Sequence, residues 1–363
     1  MVKNIFIAAT GMSDGKSTLS IGLLNYFINN GNKIGFIKPV GQRFVLVNDE
    51  QIDKDSYLMD NIYHASKDIR LTSPIAIPNG YTEEYILNRD EKRDLLSDKL
   101  MKCYNELAEE KDYMLMEGTG HAGVGSVLDL SNAKVAKMLG SKVILIAPGG
   151  VGNTIDEIML NKALFDQEGV ELLGVVINKI FEDKYEKITK LLGKALEYYN
   201  IKPLGFIPYR YSLSSPNMYL IRESLKAETL NEGQNIYQNI TGIVVGAMTP
   251  HYVMSYLKKG CLLITPGDRE DVLLAALALS MLSEDNRLAG ILLTGGILPK
   301  ENVTKLLRKS DIPILHVNKD TYDTATKVSD LNVKITVNDK KKIELAKQLT
   351  EEYIDIEYIK NNI

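Results

Sequence analysis

Short apolar runs alternate with longer amphipathic segments along most of the chain. The runs are continuous in Val, Ile and Leu rather than alternating with polar residues, which is typical of strands covered on both faces. In the first half they predict strands over residues 4–9, 33–38, 113–117, 142–147, 173–178 and 204–207. Helical periodicity lies between them, for example over residues 95–109 and 184–199. We therefore predict an α/β fold with a mostly parallel sheet and helices on both faces.

The pattern restarts after residues 209–216, a segment with serines and a proline that we interpret as a linker. The second half predicts strands over residues 242–246, 261–265, 289–294 and 312–317, and helices over residues 218–228, 271–282 and 300–310. Residues 340–353 are rich in Lys and Glu at helical spacing and predict a closing surface helix. The predicted domains are residues 1–211 and a smaller α/β domain over residues 212–363.

Residues 10–18, which read TGMSDGKST, connect the first predicted strand to an apolar helix. In such a turn, backbone N–H groups and the helix N-terminus bind phosphate, the lysine reaches the β- and γ-phosphates, and the following hydroxyl ligates Mg²⁺. Lys16 and Ser17 stand at those positions, but Thr10 replaces the usual first glycine and Gly11 follows it. A chance Gly-Lys-Ser at a helix start is the alternative. The strand before and the apolar helix after favour nucleoside triphosphate binding.

Four further polar residues fit a nucleotide enzyme, and three of them, Lys38, Glu117 and Asn178, stand at the ends of predicted strands, where ligand sites form in α/β sheets. Lys38 precedes Pro39 after the second strand; alternatively it is an exposed turn lysine. Asp55 opens a helical stretch, where an acidic residue also compensates the helix dipole. Glu117 ends an apolar strand before two closely spaced glycines, and its carboxylate can hold Mg²⁺. Asn178 ends another strand and can read an adenine edge or cap a turn.

Composition excludes several classes of protein. The 363 residues carry a net charge of −4, so no basic field attracts nucleic acid or an anionic membrane. The longest apolar stretch, residues 272–282, is too short to span a bilayer, and the N-terminal apolar run is the strand that the loop needs rather than a signal peptide. Cys103 and Cys261 lie far apart and are interpreted as reduced core thiols. We expect a cytoplasmic protein.

The first 210 or so residues resemble the dethiobiotin synthetase-like branch of P-loop proteins. That branch includes the amidating synthases of cobyrinic acid and the N-terminal region of long bacterial phosphotransacetylases. The resemblance rests on residues 10–18, Lys38-Pro39, Asp55, Glu117-Gly118, Asn178-Lys179 and residues 203–208 (PLGFIP).

This resemblance implies ATP and Mg²⁺ as cofactors, with Lys16 and Lys38 as catalytic residues that neutralise the transferring phosphate. Ser17, Asp55 and Glu117 would hold Mg²⁺, and Asn178 would read adenine. The implied nucleotide-binding residues are Thr10, Gly11, Gly15, Lys16, Ser17, Thr18, Asn178 and Pro208. The implied reaction passes the γ-phosphate to a carboxylate-like oxygen, which activates it for attack by an amine.

Two positions depart from the dethiobiotin synthetase pattern. Ser13 stands where those enzymes carry an acidic residue, and Gln42 stands near the position of a small hydroxyl residue. Both positions contact the diamino acid substrate in that family, so we do not expect dethiobiotin synthesis. Residues 117–133 are more similar to the phosphotransacetylase-linked subgroup. No cysteine–histidine pair suits a glutamine-dependent amidotransferase.

In the second half, Asp268-Arg269 and Thr294-Gly295-Gly296 each follow a predicted strand. Their order resembles the DRTGG domain, which is associated with nucleotide binding and dimer formation. The resemblance implies a regulatory ligand at these five residues and a homodimer. The alternative is that Asp268 caps its helix and the glycines only turn the chain. The phosphotransacetylase catalytic domain does not follow, so we do not expect acetyl transfer by this chain itself.

Two functions from different classes remain open. The first is a nucleotide-responsive regulator of a partner enzyme in acyl-phosphate metabolism. The second is an ATP-dependent ligase that acts on a small carboxylate or amine. A ParA-like partition ATPase is disfavoured, because the extra lysine of that group would fall near Gly11 and no basic DNA-binding stripe is present.

Overall fold

The computed structural model describes residues 2–78 and 80–363. It divides into two compact units, one formed by Met1–Arg210 with Ile335–Ile363 and the other by Tyr211–Lys334. The structure thus places residues 335–363 in the first unit and not, as we predicted, in the second.

The elements of the first unit up to Arg210 follow in chain order. The strands are β1 (Lys3–Ala9), β2 (Ile34–Ile37), β3 (Val40–Gly41), β4 (Phe44–Val47), β5 (Glu50–Asp53), β6 (Ile75–Ala76), β7 (Tyr113–Glu117), β8 (Lys142–Pro148), β9 (Leu172–Ile180) and β10 (Pro203–Pro208). The helices are α1 (Lys16–Asn29), α2 (Lys54–Tyr63), α3 (Tyr81–Leu87), α4 (Arg89–Ala108), α5 (Asn132–Met138), α6 (Gly152–Glu168) and α7 (Tyr185–Tyr198).

The main sheet of the first unit has six strands in the order β10-β9-β8-β1-β7-β2. Every pair in it is parallel, as the continuous apolar runs predicted. Strand β1 lies between β8 and β7, and its residues Ile5 to Ala9 are fully buried. The predicted fold class is confirmed. The order brings the carboxyl ends of β1, β2 and β7 to one edge, where the candidate residues follow.

Two small sheets were not predicted. Strands β4 and β5 form an antiparallel hairpin, and β3 pairs with β6 in parallel. The hairpin turn is Asn48-Asp49, and both residues have positive φ, 49° and 65°. This is the backbone that a two-residue hairpin loop requires, but the flanking strands are short and half exposed. The sequence of β4, FVLV before Asn48-Asp49, does carry a strand signal that the prediction overlooked, whereas β5 (EQID) carries little.

The second unit holds strands β11 (Glu228–Asn231), β12 (Gly242–Val245), β13 (Cys261–Pro266), β14 (Gly290–Thr294) and β15 (Ile314–His316). Its helices are α8 (Tyr211–Ser214), α9 (Met218–Leu225), α10 (Pro250–Tyr256), α11 (Glu270–Leu282), α12 (Glu301–Arg308) and α13 (Thr321–Ser329). The sheet order is β11-β15-β14-β13-β12, parallel except that β11 runs antiparallel to β15.

Two predictions for the second half need correction. The predicted helix over residues 218–228 ends at Leu225, because Lys226 adopts the left-handed conformation with φ 51° and the chain turns into strand β11. The predicted linker contains a helical turn, α8.

Residues 335–363 form α14 (Lys340–Tyr353) and α15 (Ile356–Asn362).

The helix predicted over residues 340–353 is confirmed as α14, but it covers the first unit and not the second. It packs against α1 in the first unit, and its buried face includes Ile343, Ala346 and Leu349. Lys340, Lys341, Glu344, Glu351 and Glu352 are exposed on its other faces, whereas Lys342 is buried. Across residues 2–78 and 80–363, no helix combines the length and apolar character needed to cross a membrane.

Candidate functional site

The loop between β1 and α1 ends at Gly15, the residue that caps α1 with φ 113°. A left-handed backbone of this kind favours glycine. A Cβ atom built on Gly15 would lie 2.1 Å from the side-chain nitrogen of Asn178. Gly15 is therefore required both by the turn and by the close approach of Asn178.

The loop is braced by Asp14, whose carboxylate folds back along it. Oδ2 of Asp14 accepts a hydrogen bond from the Gly11 backbone N–H at 2.6 Å and lies 3.3 Å from Oγ1 of Thr10. The Thr10 hydroxyl also lies 3.0 Å from Oε2 of Glu157 on α6. Burial raises the pKa of Asp14, and the Gly11 N–H opposes that shift. Thr10, at the usual first-glycine position, thus links the loop to α6.

Lys16 opens α1 and is buried, with 8% of its surface exposed. Its Nζ donates to the backbone oxygen of Gly11 at 3.1 Å, inside the loop itself. Burial lowers the pKa of Lys16 to about 8, and the positive charge of Lys38 adds to that effect. The next residues of the helix are Ser17 and Thr18, which are both half-buried.

Lys38 follows β2 and forms a buried ion-pair cluster with the two predicted metal carboxylates. Its Nζ lies 2.9 Å from Oδ2 of Asp55, 2.9 Å from Oε1 of Glu117 and 3.1 Å from the backbone oxygen of Gly118. Burial opposes the charge of Lys38, but Asp55 and Glu117 outweigh it and hold the pKa of Lys38 above its usual value. Lys38 is therefore not the exposed turn lysine of the alternative interpretation.

Two serines of α1 complete this cluster. Oγ of Ser17 lies 3.2 Å from Oδ1 of Asp55 and 3.1 Å from Oε1 of Glu117. Ser20, one turn further along α1, donates to Oε2 of Glu117 at 2.7 Å. Residues from α1, α2 and the ends of β2 and β7 thus meet at one point. Carboxylate and hydroxyl oxygens are ligands that Mg²⁺ accepts, so the donor set fits the metal, although the Lys38 ammonium now lies between the two carboxylates.

Asn178 holds the loop from the side of β9. Its Nδ2 donates to the backbone oxygen of Asp14 at 2.7 Å, and its Oδ1 accepts from the Lys179 N–H at 2.8 Å. Nζ of Lys179 donates to the backbone oxygen of Ser13 at 2.8 Å. Pro208 ends β10 opposite Ile180 of β9. The structure shows contacts of Asn178 with the loop, and its reading of adenine stays a prediction.

In the second unit, Arg269 fixes the loop that follows β12. Its guanidinium donates to the backbone oxygen of Met248 at 2.8 Å and to Oδ1 of Asp271 at 3.0 Å. Arg269 occupies the N-cap position of α11. In the part of the chain that the structure describes, no side chain makes a capping hydrogen bond to the first turn of this helix. Asp268 is exposed and does not cap α11, so the part of the alternative that made it a helix cap is wrong.

The two motifs of the second half lie next to each other. The Gly267 N–H approaches the backbone oxygen of Thr294 at 3.4 Å, and a Cβ atom on Gly267 would lie only 1.7 Å from the oxygen of Ile297. Oγ1 of Thr294 lies 2.7 Å from Oγ1 of Thr321. Gly295 and Gly296 both have positive φ, 81° and 66°, and are exposed. The structure therefore brings all five predicted residues to the carboxyl ends of β13 and β14.

A model of the AAA domain family AAA_26 matches residues 3–217, more than half of the chain. The chain belongs to the AAA_26 family. The DRTGG domain model matches residues 220–331, directly after the AAA_26 region. This order of domains is the one that the sequence resemblance predicted.

Curated relatives of this AAA_26 protein are phosphate acetyltransferases. Those of Nitratidesulfovibrio vulgaris and Pseudomonas aeruginosa are each 29% identical, in alignments that cover 98% of this chain and 51% of each relative. The chain spans about half the length of the curated relatives it matches. Among solved structures, the cell division ATPase MinD of Pyrococcus furiosus is 15% identical, with a TM-score of 0.38 over 59% of this chain and 86% of that one.

Sequence reasoning missed three residues that shape the AAA_26 site: Asp14, Ser20 and Asn132. Buried Asn132 accepts from the Thr119 N–H at 3.2 Å and donates to the oxygens of Thr119 and His121, which fixes the loop after Glu117. Ser20 could have been found from its position three residues after Ser17 on the same helix face. Asp14 stands beside Gly15 and Lys16, but its role depends on how the loop folds.

Proposed function

We propose that the first unit binds ATP with Mg²⁺, and that this binding regulates a partner enzyme of acyl-phosphate metabolism. The observation that carries the proposal is the meeting of Ser17, Lys38, Asp55 and Glu117 directly beside the loop that holds Lys16. These are the residue types that a phosphate and its metal need, and they come from separate parts of the chain.

In this proposal the backbone N–H groups of the loop bind the phosphate oxygens at the start of α1. Lys16 and Lys38 give up their contacts with Gly11 and the carboxylates to neutralise phosphate charge. Ser17, Asp55 and Glu117 then hold Mg²⁺, directly or through water, and the metal neutralises further charge on the β- and γ-phosphates. Ser20 keeps Glu117 oriented while this exchange takes place.

The second unit supplies the regulatory part of the proposal. Asp268, Arg269, Thr294, Gly295 and Gly296 are proposed to bind a regulatory ligand at the carboxyl ends of β13 and β14. The link to acyl-phosphate metabolism rests on the phosphate acetyltransferases that the chain resembles over nearly its full length. The partner enzyme is therefore proposed to be one that makes or consumes an acyl phosphate.

An ATP-dependent ligase is the second candidate, and one observation favours it. Two ammonium groups, those of Lys16 and Lys38, lie close enough for the charge of Lys38 to lower the pKa of Lys16. A pair of cations at the γ-phosphate stabilises a phosphoryl group in transfer as well as a bound nucleotide. The γ-phosphoryl group would then pass from ATP to a small carboxylate with release of ADP, and an amine would attack the resulting acyl phosphate with release of phosphate.

The test is calorimetric titration of the protein with ATP and Mg²⁺, followed in the same sample by measurement of phosphate release. Tight binding with negligible turnover supports the regulator, whereas turnover that a carboxylate or amine stimulates supports the ligase. Lys16→Ala is expected to abolish binding in either case. Lys162→Ala, which removes a partly exposed lysine of α6 that is paired with Asp166 on the same helix, is the control and should bind ATP normally. Unchanged binding by Lys16→Ala would show that the loop is not the nucleotide site.

A further inference from the structure

Helix α11 is apolar on every side, although only one side of it is buried. Over residues 272–282 it carries no charged residue, and Ser280 is its only polar side chain. Its buried face packs into the core of the second unit through Val272, Leu273, Ala276 and Leu277. A helix that is apolar all round is normally covered on all sides. The outward face of α11 is therefore a surface that calls for a partner.

The outward face of α11 has a symmetric arrangement of residues. Ala278 lies at its centre and is exposed, with Leu274 about one turn before it and Leu282 about one turn after it. Leu274 and Leu282 expose 41% and 79% of their surfaces, and Met281 exposes 86%. Because Leu274 and Leu282 are equally far from Ala278 along the chain, reversing the direction of the helix exchanges one leucine for the other.

The neighbouring helices extend this apolar surface. Helices α10 and α12 both pack against α11, and all three contribute side chains to the same core cluster. The two neighbours add Tyr252, Tyr256 and Leu306, which expose 61%, 58% and 53% of their surfaces. Together with the leucines and the methionine of α11 these side chains expose roughly 800 Å², which is about what one partner contributes to a stable interface.

We propose that this surface pairs with the same surface of a second copy of the chain, with the two α11 helices antiparallel about a two-fold axis at Ala278. The small Ala278 side chain lets the helices approach closely, and Leu274 packs against Leu282 of the partner subunit. A two-fold interface places a patch against itself, so a patch without charge meets no like-charge repulsion. The DRTGG resemblance implies a homodimer but names no surface, and this inference does not depend on nucleotide binding by the first unit.

Acidic residues at the two ends of α11 form the rim of this interface. Antiparallel packing brings Asp271 near Asp285 of the partner subunit. Each of these carboxylates has a countercharge in its own chain, because Nε of Arg269 lies 3.0 Å from Oδ1 of Asp271 and Nζ of Lys259 lies 3.6 Å from Oδ1 of Asp285. The interface thus has an apolar centre and a charged rim, the usual arrangement between proteins. Since Arg269 belongs to the predicted regulatory motif, the rim also joins that motif to the interface.

The test is sedimentation equilibrium of the full chain, which measures the dissociation constant of the dimer. We expect Leu282→Glu to raise this constant by about a hundredfold or more, because its carboxylate would be buried without a partner. The matched control is Leu160→Glu on α6 of the first unit, where the leucine is 75% exposed, and it should leave the constant unchanged. Both leucines are exposed in the single chain, so circular dichroism melts should show that each variant folds.

A second variant tests the antiparallel pairing. In Leu274→Lys/Leu282→Glu, antiparallel packing places each introduced ammonium beside an introduced carboxylate of the other subunit, whereas parallel packing places like charges together. We expect the double variant to dimerise at least about tenfold more tightly than Leu282→Glu alone. An unsubstituted chain that stays monomeric, or a dimer that Leu282→Glu leaves intact, would overturn the proposed surface. A double variant no tighter than Leu282→Glu would overturn the antiparallel pairing.

Discussion

At the scale of single residues, the candidate site is a set of buried charges that neutralise one another. Lys38, Asp55 and Glu117 expose 3%, 3% and 0% of their surfaces. The sequence identified Lys38 and Glu117 from the ends of predicted strands, and Asp55 from the resemblance to P-loop proteins. It could not show that they contact one another, since that depends on β7 lying between β1 and β2.

Removing the buried ammonium group tests this balance. In Lys38→Met, Asp55 and Glu117 lose their countercharge, and breaking a buried pair costs about 3–5 kcal/mol. We expect a clear fall in the melting temperature and partial recovery with millimolar Mg²⁺, because a divalent cation can take the place between the carboxylates. Thermal unfolding with and without Mg²⁺ measures both effects. The surface i,i+4 pair of Lys162 and Asp166, whose side chains are 26% and 52% exposed, provides the control, since Lys162→Met should cost only about 0.3–0.5 kcal/mol and show no Mg²⁺ effect.

The lowered pKa of Lys16 predicts a pH dependence of nucleotide binding. Burial and the charge of Lys38 bring this pKa from 10.5 to about 8, so the free protein loses the proton as the pH rises through 8. Bound phosphate requires the ammonium form, and binding above pH 8 must therefore first take up a proton. We expect the ATP dissociation constant to rise about tenfold per pH unit above 8. Calorimetry from pH 7 to 9.5 measures the ATP dissociation constant as a function of pH. In Lys16→Arg, whose side chain stays charged, the dissociation constant should depend less on pH. An equal slope in both proteins would contradict the assignment of the pH dependence to Lys16.

At the scale of elements, all six strands of the main sheet and four of the five strands of the second unit's sheet were predicted, and β11 was missed. The C-terminal helix was predicted with its observed bounds but was assigned to the wrong unit. Each strand of the main sheet is a continuous apolar run, and such a run allows few other structures. Helix α14 carries many Lys and Glu residues, and its apolar face matches that of any surface helix. The sequence of α14 alone does not predict that it packs against α1. The decisive feature is Gly22 of α1, where a Cβ atom would lie 2.0 Å from Oγ1 of Thr350.

This close approach predicts opposite effects of the same substitution in two helices. Gly22→Ala forces α1 and α14 apart, and overpacking of this kind costs about 1–3 kcal/mol. Gly193 in α7 is the matched control, since among the described residues no heavy atom beyond its chain neighbours and the nearby backbone of α7 lies within 4 Å of a Cβ built there. Gly193→Ala should stabilise the first unit by about 0.5–1 kcal/mol through helix propensity. Chemical denaturation of both variants measures the difference, and a stabilising Gly22→Ala would exclude the tight helix contact.

At the scale of the whole molecule, each unit has its own hydrophobic core. Both core clusters of the second unit, one around Leu263 and Leu293 and one around Leu262 and Ile264, lie entirely within Tyr211–Lys334. The first unit differs, because its chain is interrupted and returns only at Ile335. The sequence predicted the first boundary from the change in pattern near residue 211. The return of residues 335–363 to the first unit had no comparable sequence signal, since an amphipathic pattern predicts a helix but does not indicate which core that helix packs against.

This arrangement predicts that the two units depend differently on the C-terminal segment. A fragment of residues 211–334 should fold alone and unfold in one cooperative transition, since it retains its five-stranded sheet and both clusters. Deleting residues 335–363 should instead destabilise the first unit. The deletion removes Ala346, Leu349, Ile356 and Ile359, each at most 5% exposed, and a fully buried Leu or Ile contributes about 1.5–3 kcal/mol.

The summed loss is comparable to the net stability of a whole domain, about 5–15 kcal/mol. Circular dichroism melts of the fragment, the truncated chain and the full chain separate these effects. In the truncated chain the transition of the first unit should fall or disappear, and ATP binding should be lost with it because α1 carries both Lys16 and the buried contact with α14. A truncated chain that melts and binds ATP like the full chain would show that residues 335–363 are not part of the first unit's core.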